Sequence, residues 1–306
     1  MKSGFKADLV SICICTFQRP NMLSRALEGV TSQIIEPGLS FEVIVVDNDN
    51  RRSAEDIVRL YQRLNTRRIV YDCEPIQNIA LARNRAILNA TGNLIAFMDD
   101  DEFPVEDWLV NLYRTMKKYQ SDGVLGPVIP FFPQEAPQWL RVSKVCDRRR
   151  LQTGTLLTDR DTRTGNVLLN RRILPKDGNW FNPVYGLTGG EDQDFFRRQI
   201  NSGGTFVWCD EAEVYETVPE ERWRASFHLT KNSRAGTLYG EALRQFGLAG
   251  LVNWLKNAVA APLWLSVLLI TFPFGKPVWM IPATRFCYAG SCFLAFCGLS
   301  LMRNRP

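Results

Sequence analysis

Short apolar runs that stop abruptly at polar clusters recur through the first hundred residues. Residues 9–16, 41–46, 68–71 and 94–98 read as four buried strands. Between them the apolar positions fall at helical spacing, at 21–33 with Asn21 as a cap, at 53–64, and at 79–89 before a stop at Thr91, Gly92 and Asn93. Strands alternating with helices predict an α/β fold with a doubly wound, mostly parallel sheet and flanking helices. Ligands gather at the carboxyl ends of the strands in such sheets. Three of these ends carry polar clusters: Thr16 to Arg19, Asp47 to Asp49, and Asp99 to Asp101.

Further along, residues 108–119 form an amphipathic helix and 124–132 a strand broken by Pro127 and Pro130. Residues 133–163 read as loop, with Arg148, Arg149 and Arg150 as a basic cluster. Strands are expected again at 166–170 and 205–209. Between those two, Gly189 and Gly190 feed a helix that starts with Glu191, Asp192 and Asp194. Acids in a first turn complement the helix dipole. Behind a double glycine they also suggest a site.

After Glu220 the pattern changes. Arg222, Trp223, Arg224, His228, Lys231 and Arg234 mark a basic, aromatic helix, and 258–274 and 286–302 are the most apolar stretches. Each is near the lower limit of a span of about 20 residues. Pro262 interrupts the first, Arg303 and Arg305 follow the second, and a turn at 273–277 separates them. Two helices lying in or dipping into one leaflet fit these lengths. A soluble helical pair covering the sheet fits them too.

Composition narrows the partners. A chain of 306 residues has room for a catalytic domain and an appendage, and its net charge of +5 accommodates an anionic partner without requiring one. With no long basic run or recognition motif, no nucleic-acid partner is expected. The N-terminus lacks the apolar core of a signal peptide, and the 8 cysteines fall at no zinc-binding spacing. Reduced thiols and a cytoplasmic location for the bulk of the chain follow. The adjacent carboxylates at 99–101 repel unless a cation joins them, and Mg²⁺ or Mn²⁺ carrying a phosphate suits that donor set.

In order, these segments resemble the inverting GT-A glycosyltransferases of family 2. Residues 10–20 are similar to that family's nucleotide-binding start, 45–48 to its second nucleotide-contacting strand end, and 78–84 to its donor-side helix. Phe97 to Asp101 resembles its DXD element and Gly189 to Asp192 its ED element. Within the class, residues 97–102, 125–128 and 189–196 are similar to bacterial exopolysaccharide glucosyltransferases of the succinoglycan type.

The resemblance implies a GT-A catalytic domain over 1–220, with a nucleotide-sugar half at 8–102 and an acceptor half at 103–220, followed by a basic helix and apolar hairpin at 221–306. It implies transfer of one sugar, glucose from UDP-glucose, with inversion, onto a polyprenyl-diphosphate-linked glycan at the cytoplasmic face of the bacterial inner membrane. It assigns the general base to Asp192 and leaves Glu191 to hold the acceptor or tune that base. Asp99 and Asp101 would hold the metal. Asp100 would meet the ribose or the metal shell, or be a solvated acid. Asp47 would accept from the nucleotide base, with Thr16, Arg19 and Arg83 on the uridine and phosphate side. Trp180 and Tyr185 would either stack on acceptor sugar faces or pack in the core. There is one departure: many relatives carry a metal-binding histidine after the late strand, where this chain has Val214 to Pro219. The metal shell would then lack an imidazole, or Glu216 would take part; His228, the only histidine, lies in the basic helix and is the lesser candidate.

Three other functions compete. A processive synthase carries a Gln-x-x-Arg-Trp element and several long spans; here Pro219 stands in the glutamine's place before Arg222 and Trp223. A sugar nucleotidyltransferase needs a glycine-rich loop after the first strand, and residues 16–22 contain no glycine. A non-catalytic membrane scaffold would not need five site elements in order.

Overall fold

The computed structural model describes residues 7–176, 178, 180–187 and 189–299. The chain divides into two compact units, one comprising residues up to 129 with 148–216, the other 130–147 with the chain from 217 onward.

The first unit is built on a seven-stranded sheet. Its strands are β1 (Asp8–Thr16), β2 (Leu39–Asp47), β3 (Ile69–Cys73), β4 (Leu94–Asp99), β6 (Gly123–Leu125), β8 (Val167–Asn170) and β9 (Phe206–Trp208), in the order β3-β2-β1-β4-β8-β6-β9. Only β8 runs against its neighbours, so the expected mostly parallel sheet is present. Helices α1 (Pro20–Thr31), α2 (Glu55–Leu64) and α4 (Trp108–Tyr119) cover one face; α3 (Ile79–Asn89) and α6 (Glu191–Asn201) cover the other. Alternate residues of β1 face opposite cores. Val10, Ile12 and Ile14 join Leu23, Leu27 and Leu112, while Cys13 joins Ala82, Ile87 and Phe195. Burial on both faces explains why the strands read as continuous apolar runs.

Three local expectations are corrected. Asn21 does not cap the first helix; Arg19 sits at that position and Pro20 is the first helical residue, where its fixed φ and missing N–H cost nothing. The strand expected at 124–132 is two strands in different sheets, β6 and β7 (Val128–Phe131). The chain bends between them at Gly126, where a Cβ would run into the Ala212 carbonyl. The loop at 133–163 contains a short helix, α5 (Gln138–Ser143).

A small second sheet was not legible in the sequence. Residues just past β4 form β5 (Glu102–Pro104), which pairs antiparallel with β10 (Val214–Thr217) and sets Glu216 opposite Glu102.

The second unit holds α5 and three long helices, α7 (Ala225–Leu243), α8 (Gly247–Thr271) and α9 (Lys276–Phe296). The two apolar stretches become α8 and α9, both starting earlier than expected; Met302, Arg303 and Arg305 lie outside the described residues. Helix α7 packs on α9 through small residues: a Cβ on Gly236 or Gly240 would strike the Tyr288 or Cys292 carbonyl. Gly290 of α9 faces open space. Gly240→Leu is therefore expected to destabilise the second unit by about 1–3 kcal/mol through overpacking, and Gly290→Leu to leave it intact. Thermal unfolding of the detergent-purified variants checks this pair. Along α8, apolar residues such as Leu255, Val259, Leu263 and Ile270 are exposed. It belongs to the one stretch among the described residues that is long and apolar enough to cross a membrane, Ala225–Phe274.

Candidate active site

The carboxyl ends of β1 and β4 lie side by side, with Cys15 in register with Asp99. Thr16 Oγ1 donates to Asp100 Oδ2 at 2.7 Å, and Arg19 Nη1 donates to Asp100 Oδ1 at 3.2 Å and Asp101 Oδ2 at 3.3 Å. Asp100 is thus the tie between the two strand ends. It and Asp101 are 7% and 9% exposed at the side chain, whereas Asp99 is 48% exposed.

Burial comes first in raising the Asp101 carboxyl, and the charges of Asp99, Glu216 and Asp100 add to it; together they push it up to about 7 despite Arg19. Glu102 is raised well above the usual range, chiefly by burial, with Asp99 and Asp101 adding to it. The pairing of β5 with β10 produces this crowding by bringing Glu216 in, and Arg148 answers it with an ion pair to Glu216. The basic cluster noted in the sequence is spent in this way: Arg149 pairs with Asp161, and Arg150 with Asp210 and Glu213.

A second carboxylate group stands at the start of α6. Gly189 and Gly190 have φ of +84° and +102°, a left-handed backbone that favours glycine, and so turn the chain into the helix. Glu191 and Asp192 then occupy its first turn. Glu191 is buried and ion-paired to Arg83, and its Oε2 has no partner among the described residues. The other arm of Arg83 lies 3.6 Å from Asp99 Oδ1. One guanidinium thus spans the acid at the end of β4 and the acid at the start of α6. Asp192 is half-buried, and its Oδ1 accepts from Gln193 N at 2.7 Å.

Asparagines fix this bridge. Asn78 caps α3 by accepting from Ala80 N and Leu81 N and donates to Pro183 O at 2.9 Å. Asn84 exchanges two hydrogen bonds with the Phe181 backbone. Asn48 accepts from Asn78 N at 2.8 Å. These bonds join the end of β2, the start of α3 and the segment leading to α6. Sequence reading placed residues 78–84 on a helix but assigned Asn78 and Asn84 no role, because their partners lie about a hundred positions away.

Asp47 is fully buried and accepts from Ala54 N at 2.7 Å, Asp49 N at 3.1 Å and Tyr71 Oη at 3.1 Å. Its carboxylate shapes the loop after β2. The side chains that line the adjacent cleft of about 260 Å³ include Gln18, Asp49, Arg51 and Gln77. Trp180 donates from Nε1 to Pro175 O and packs partly on the core, and Tyr185 holds Gly189 N through its carbonyl. His228 belongs to the second unit, where its Nε2 meets Arg222 O at 2.8 Å.

This order of parts is matched outside the chain. The family model for glycosyl transferase family 2 covers residues 11–177. The chain belongs to that family. The transferase is 34% identical over 242 residues to the succinoglycan biosynthesis protein ExoM of Rhizobium meliloti, an alignment covering 77% of this chain and 75% of ExoM. Its structure is similar to residues 1–349 of S. aureus TarS, with a TM-score of 0.56 at 17% identity over 96% of this chain and 93% of that one. TarS 1–349 has also been solved with UDP and with UDP-GlcNAc. GalNAc-T7, solved with UDP, GalNAc and Mn²⁺, matches at a TM-score of 0.53 and 14% identity, covering 72% of this chain and 45% of that one. The transferase has the GT-A fold of these neighbours.

Among the described residues, no three His, Cys, Asp or Glu side chains gather as a closed metal cage. The residues do fit a hard cation whose shell is completed by phosphate oxygens. Asp99 offers an open carboxylate, and Asp101 has its pKa raised toward neutrality, first by burial and then by the charges of Asp99, Glu216 and Asp100.

A stability prediction follows. The unfolded chain releases the Asp101 proton near the ordinary value of 3.8 and the folded chain only near 7. Stability from this group is present below the lower value and lost as pH rises through the upper one. Mn²⁺ is therefore expected to raise the melting temperature more at about pH 8 than at about pH 5.5, and Asp101→Asn to remove that difference. Differential scanning fluorimetry of the full chain checks it.

Proposed function

We propose that this transferase moves one hexose from a UDP-sugar, with inversion, onto a lipid-linked oligosaccharide during bacterial exopolysaccharide synthesis, and that UDP-glucose is the donor. The observation that carries the reading is the Arg83 bridge, which holds the open acid Asp99 and the buried acid Glu191 on one guanidinium beside Asp192.

Sugar transfer requires neutralisation of the leaving diphosphate, deprotonation of the acceptor hydroxyl and alignment of both. A divalent cation bound by Asp99 and Asp101 would neutralise the diphosphate. Thr16, Arg19 and Arg83 stand on the donor side. Asp47 keeps the loop after β2 in shape, and Asp49 and Arg51 offer the cleft its polar lining. Asp192 takes the acceptor proton as general base. The paired, buried Glu191 beside it holds the first turn of α6 at a fixed distance from Asp99. A single displacement by the deprotonated hydroxyl inverts the anomeric centre. The similarity to ExoM and the UDP complexes of TarS support the acceptor and donor classes.

The catalytic part is assigned to 1–220 and membrane attachment to 221–306. The exposed apolar side of α8 would enter the cytoplasmic leaflet of the inner membrane, with Arg222, Arg224, Lys231 and Arg234 serving acidic headgroups.

A donor screen tests the reading. The full chain is incubated with Mg²⁺ or Mn²⁺, a panel of nucleotide sugars and a polyprenyl-diphosphate-linked glycan, and nucleotide release is followed. Release from UDP-glucose that depends on the acceptor is expected. Release only from GDP- or dTDP-sugars would overturn the donor assignment.

A further inference from the structure

Helix α9 carries two charges, Lys276 at its start and Arg285 midway along it. Arg285 is exposed, and it makes no ion pair or hydrogen bond among the described residues. One turn on, Tyr288 shares its side of the helix, and the Tyr288 ring stacks with Tyr239 of α7 at 6.2 Å and 25°. Neither phenol oxygen has a hydrogen-bond partner among the described residues.

Two registers fix the level of Arg285 within the second unit. Phe272 meets Trp279 at 5.8 Å and Trp254 meets Phe293 at 5.4 Å between ring centres, so α8 and α9 run antiparallel. Counting six residues from the first pair and eight from the second puts Arg285 level with residues 262–266 of α8. That is the middle of 257–275, which contains no charged residue. Helix α7 runs parallel to α9, with Gly236 against Tyr288 and Gly240 against Cys292. Counting back three residues sets Arg285 level with Ser233, between Lys231 and Arg234. Three cations thus share one level with the most apolar part of α8.

That level decides how the unit can meet a membrane. If α8 and α9 crossed a bilayer, the three cations would sit near its centre, about 15 Å from either surface. Lysine and arginine stems do not reach that far, and charges at that depth are strongly disfavoured. With the helices in the plane of one leaflet, α8 offers lipid an apolar edge instead. Leu248, Val252, Leu255, Val259, Leu263 and Ile270 are exposed along it. Ser266, on the same edge, satisfies its hydroxyl on the Pro262 carbonyl at 3.0 Å. Arg285 and the two tyrosines then stand at the level of the headgroups, where a cation and amphipathic rings are both favoured.

We propose that Arg285, with Tyr288 and Tyr239, seats the phosphate of an anionic phospholipid, on a unit that lies flat in one leaflet. The guanidinium offers that phosphate paired, charge-assisted donors, and the phenols add neutral ones. The proposal rests on the membrane reading of 221–306 given above.

Native mass spectrometry of the detergent-purified full chain tests the seat, with phosphatidylglycerol and phosphatidylcholine as probes. Wild type is expected to retain phosphatidylglycerol about tenfold better, as one charge-assisted pair allows. Arg285→Leu should erase that preference, and Arg285→Lys should keep part of it. Tyr288→Phe leaves the charge in place and should lower the preference about threefold, the share of one neutral hydrogen bond. Because Arg285 is exposed and unpaired, the melting temperature of Arg285→Leu should not fall. Equal retention of both lipids by wild type, or a preference that survives in Arg285→Leu, overturns the seat. An unchanged preference in Tyr288→Phe also overturns it, since surface charge alone would then account for the retention.

Orientation is read in membrane vesicles with an impermeant maleimide on Gln245→Cys and Lys276→Cys, against the labelling of wild type. These two positions flank α8. Labelling of both from the same side of the membrane is expected, and labelling from opposite sides overturns the flat placement. Wild type that stays in the soluble fraction would overturn the membrane reading itself, and with it the proposal.

Discussion

Asp192→Asn is expected to lower the rate of sugar transfer by about 10²–10⁴-fold, the usual contribution of a positioned general base, while UDP affinity stays at the wild-type level. The amide has the carboxylate's shape but cannot take a proton from the acceptor hydroxyl. Structure should survive the change. Asp192 is half-buried in the first turn of α6, and the bond from Gln193 N to its Oδ1 can be made by an amide oxygen. Glu191→Gln should behave differently, because it removes the charge that Arg83 holds and so disturbs position before chemistry. Acceptor-dependent UDP release, measured beside UDP affinity by calorimetry, separates the two. Transfer at the wild-type rate in Asp192→Asn would sink the assignment of the base.

Arg83→Met should be the most destabilising single change in the site. Arg83 and Glu191 are 9% and 7% exposed at their side chains. Removing one partner of a buried pair costs about 3–5 kcal/mol, because the other charge stays buried and alone. Glu191 already has one carboxylate oxygen without a partner among the described residues. The double change Arg83→Met with Glu191→Gln should recover most of that stability, since a neutral amide tolerates the site better, and the coupling between the two should be large. Transfer should remain low in the double variant, because Asp99 and the start of α6 would no longer share one guanidinium. Urea unfolding gives the stabilities. Recovery of full activity in the double variant would show that the bridge has no part in positioning.

Much of the fold was legible because burial on both faces writes itself into the chain as short apolar runs, and the alternation of strand and helix then leaves few topologies. Residues 79–89 and 108–119 were placed as helices with the boundaries that the structure has. What failed was local. At Pro20 a preorganised first turn replaced the side-chain cap that Asn21 offered. At Gly126 a bend that packs against Ala212 and Asn166 split one apolar run between two sheets.

The candidate site shows the same division. Its acids stood out because carboxylates seldom follow a buried strand or a double glycine without a reason. Their partners were invisible. Arg83 meets Glu191 across 108 positions, and Thr16 meets Asp100 across 84. Asp47 reads as a nucleotide-base contact, and its three internal donors come from Asp49, Ala54 and Tyr71, which no local pattern announced.

By itself, the sequence determined the sheet, the places where its strand ends concentrate charge, and the change from a mixed α/β chain to an apolar tail. These follow from local periodicity and composition, which need no knowledge of distant contacts. Only the tertiary structure decided which charges neutralise one another. Pairing of β5 with β10 put Glu216 among the acids and raised Asp101, and Arg83 tied Asp99 to Glu191. The energy of a charge depends on what surrounds it within a few ångströms, and in this chain those surroundings come from segments far apart in sequence.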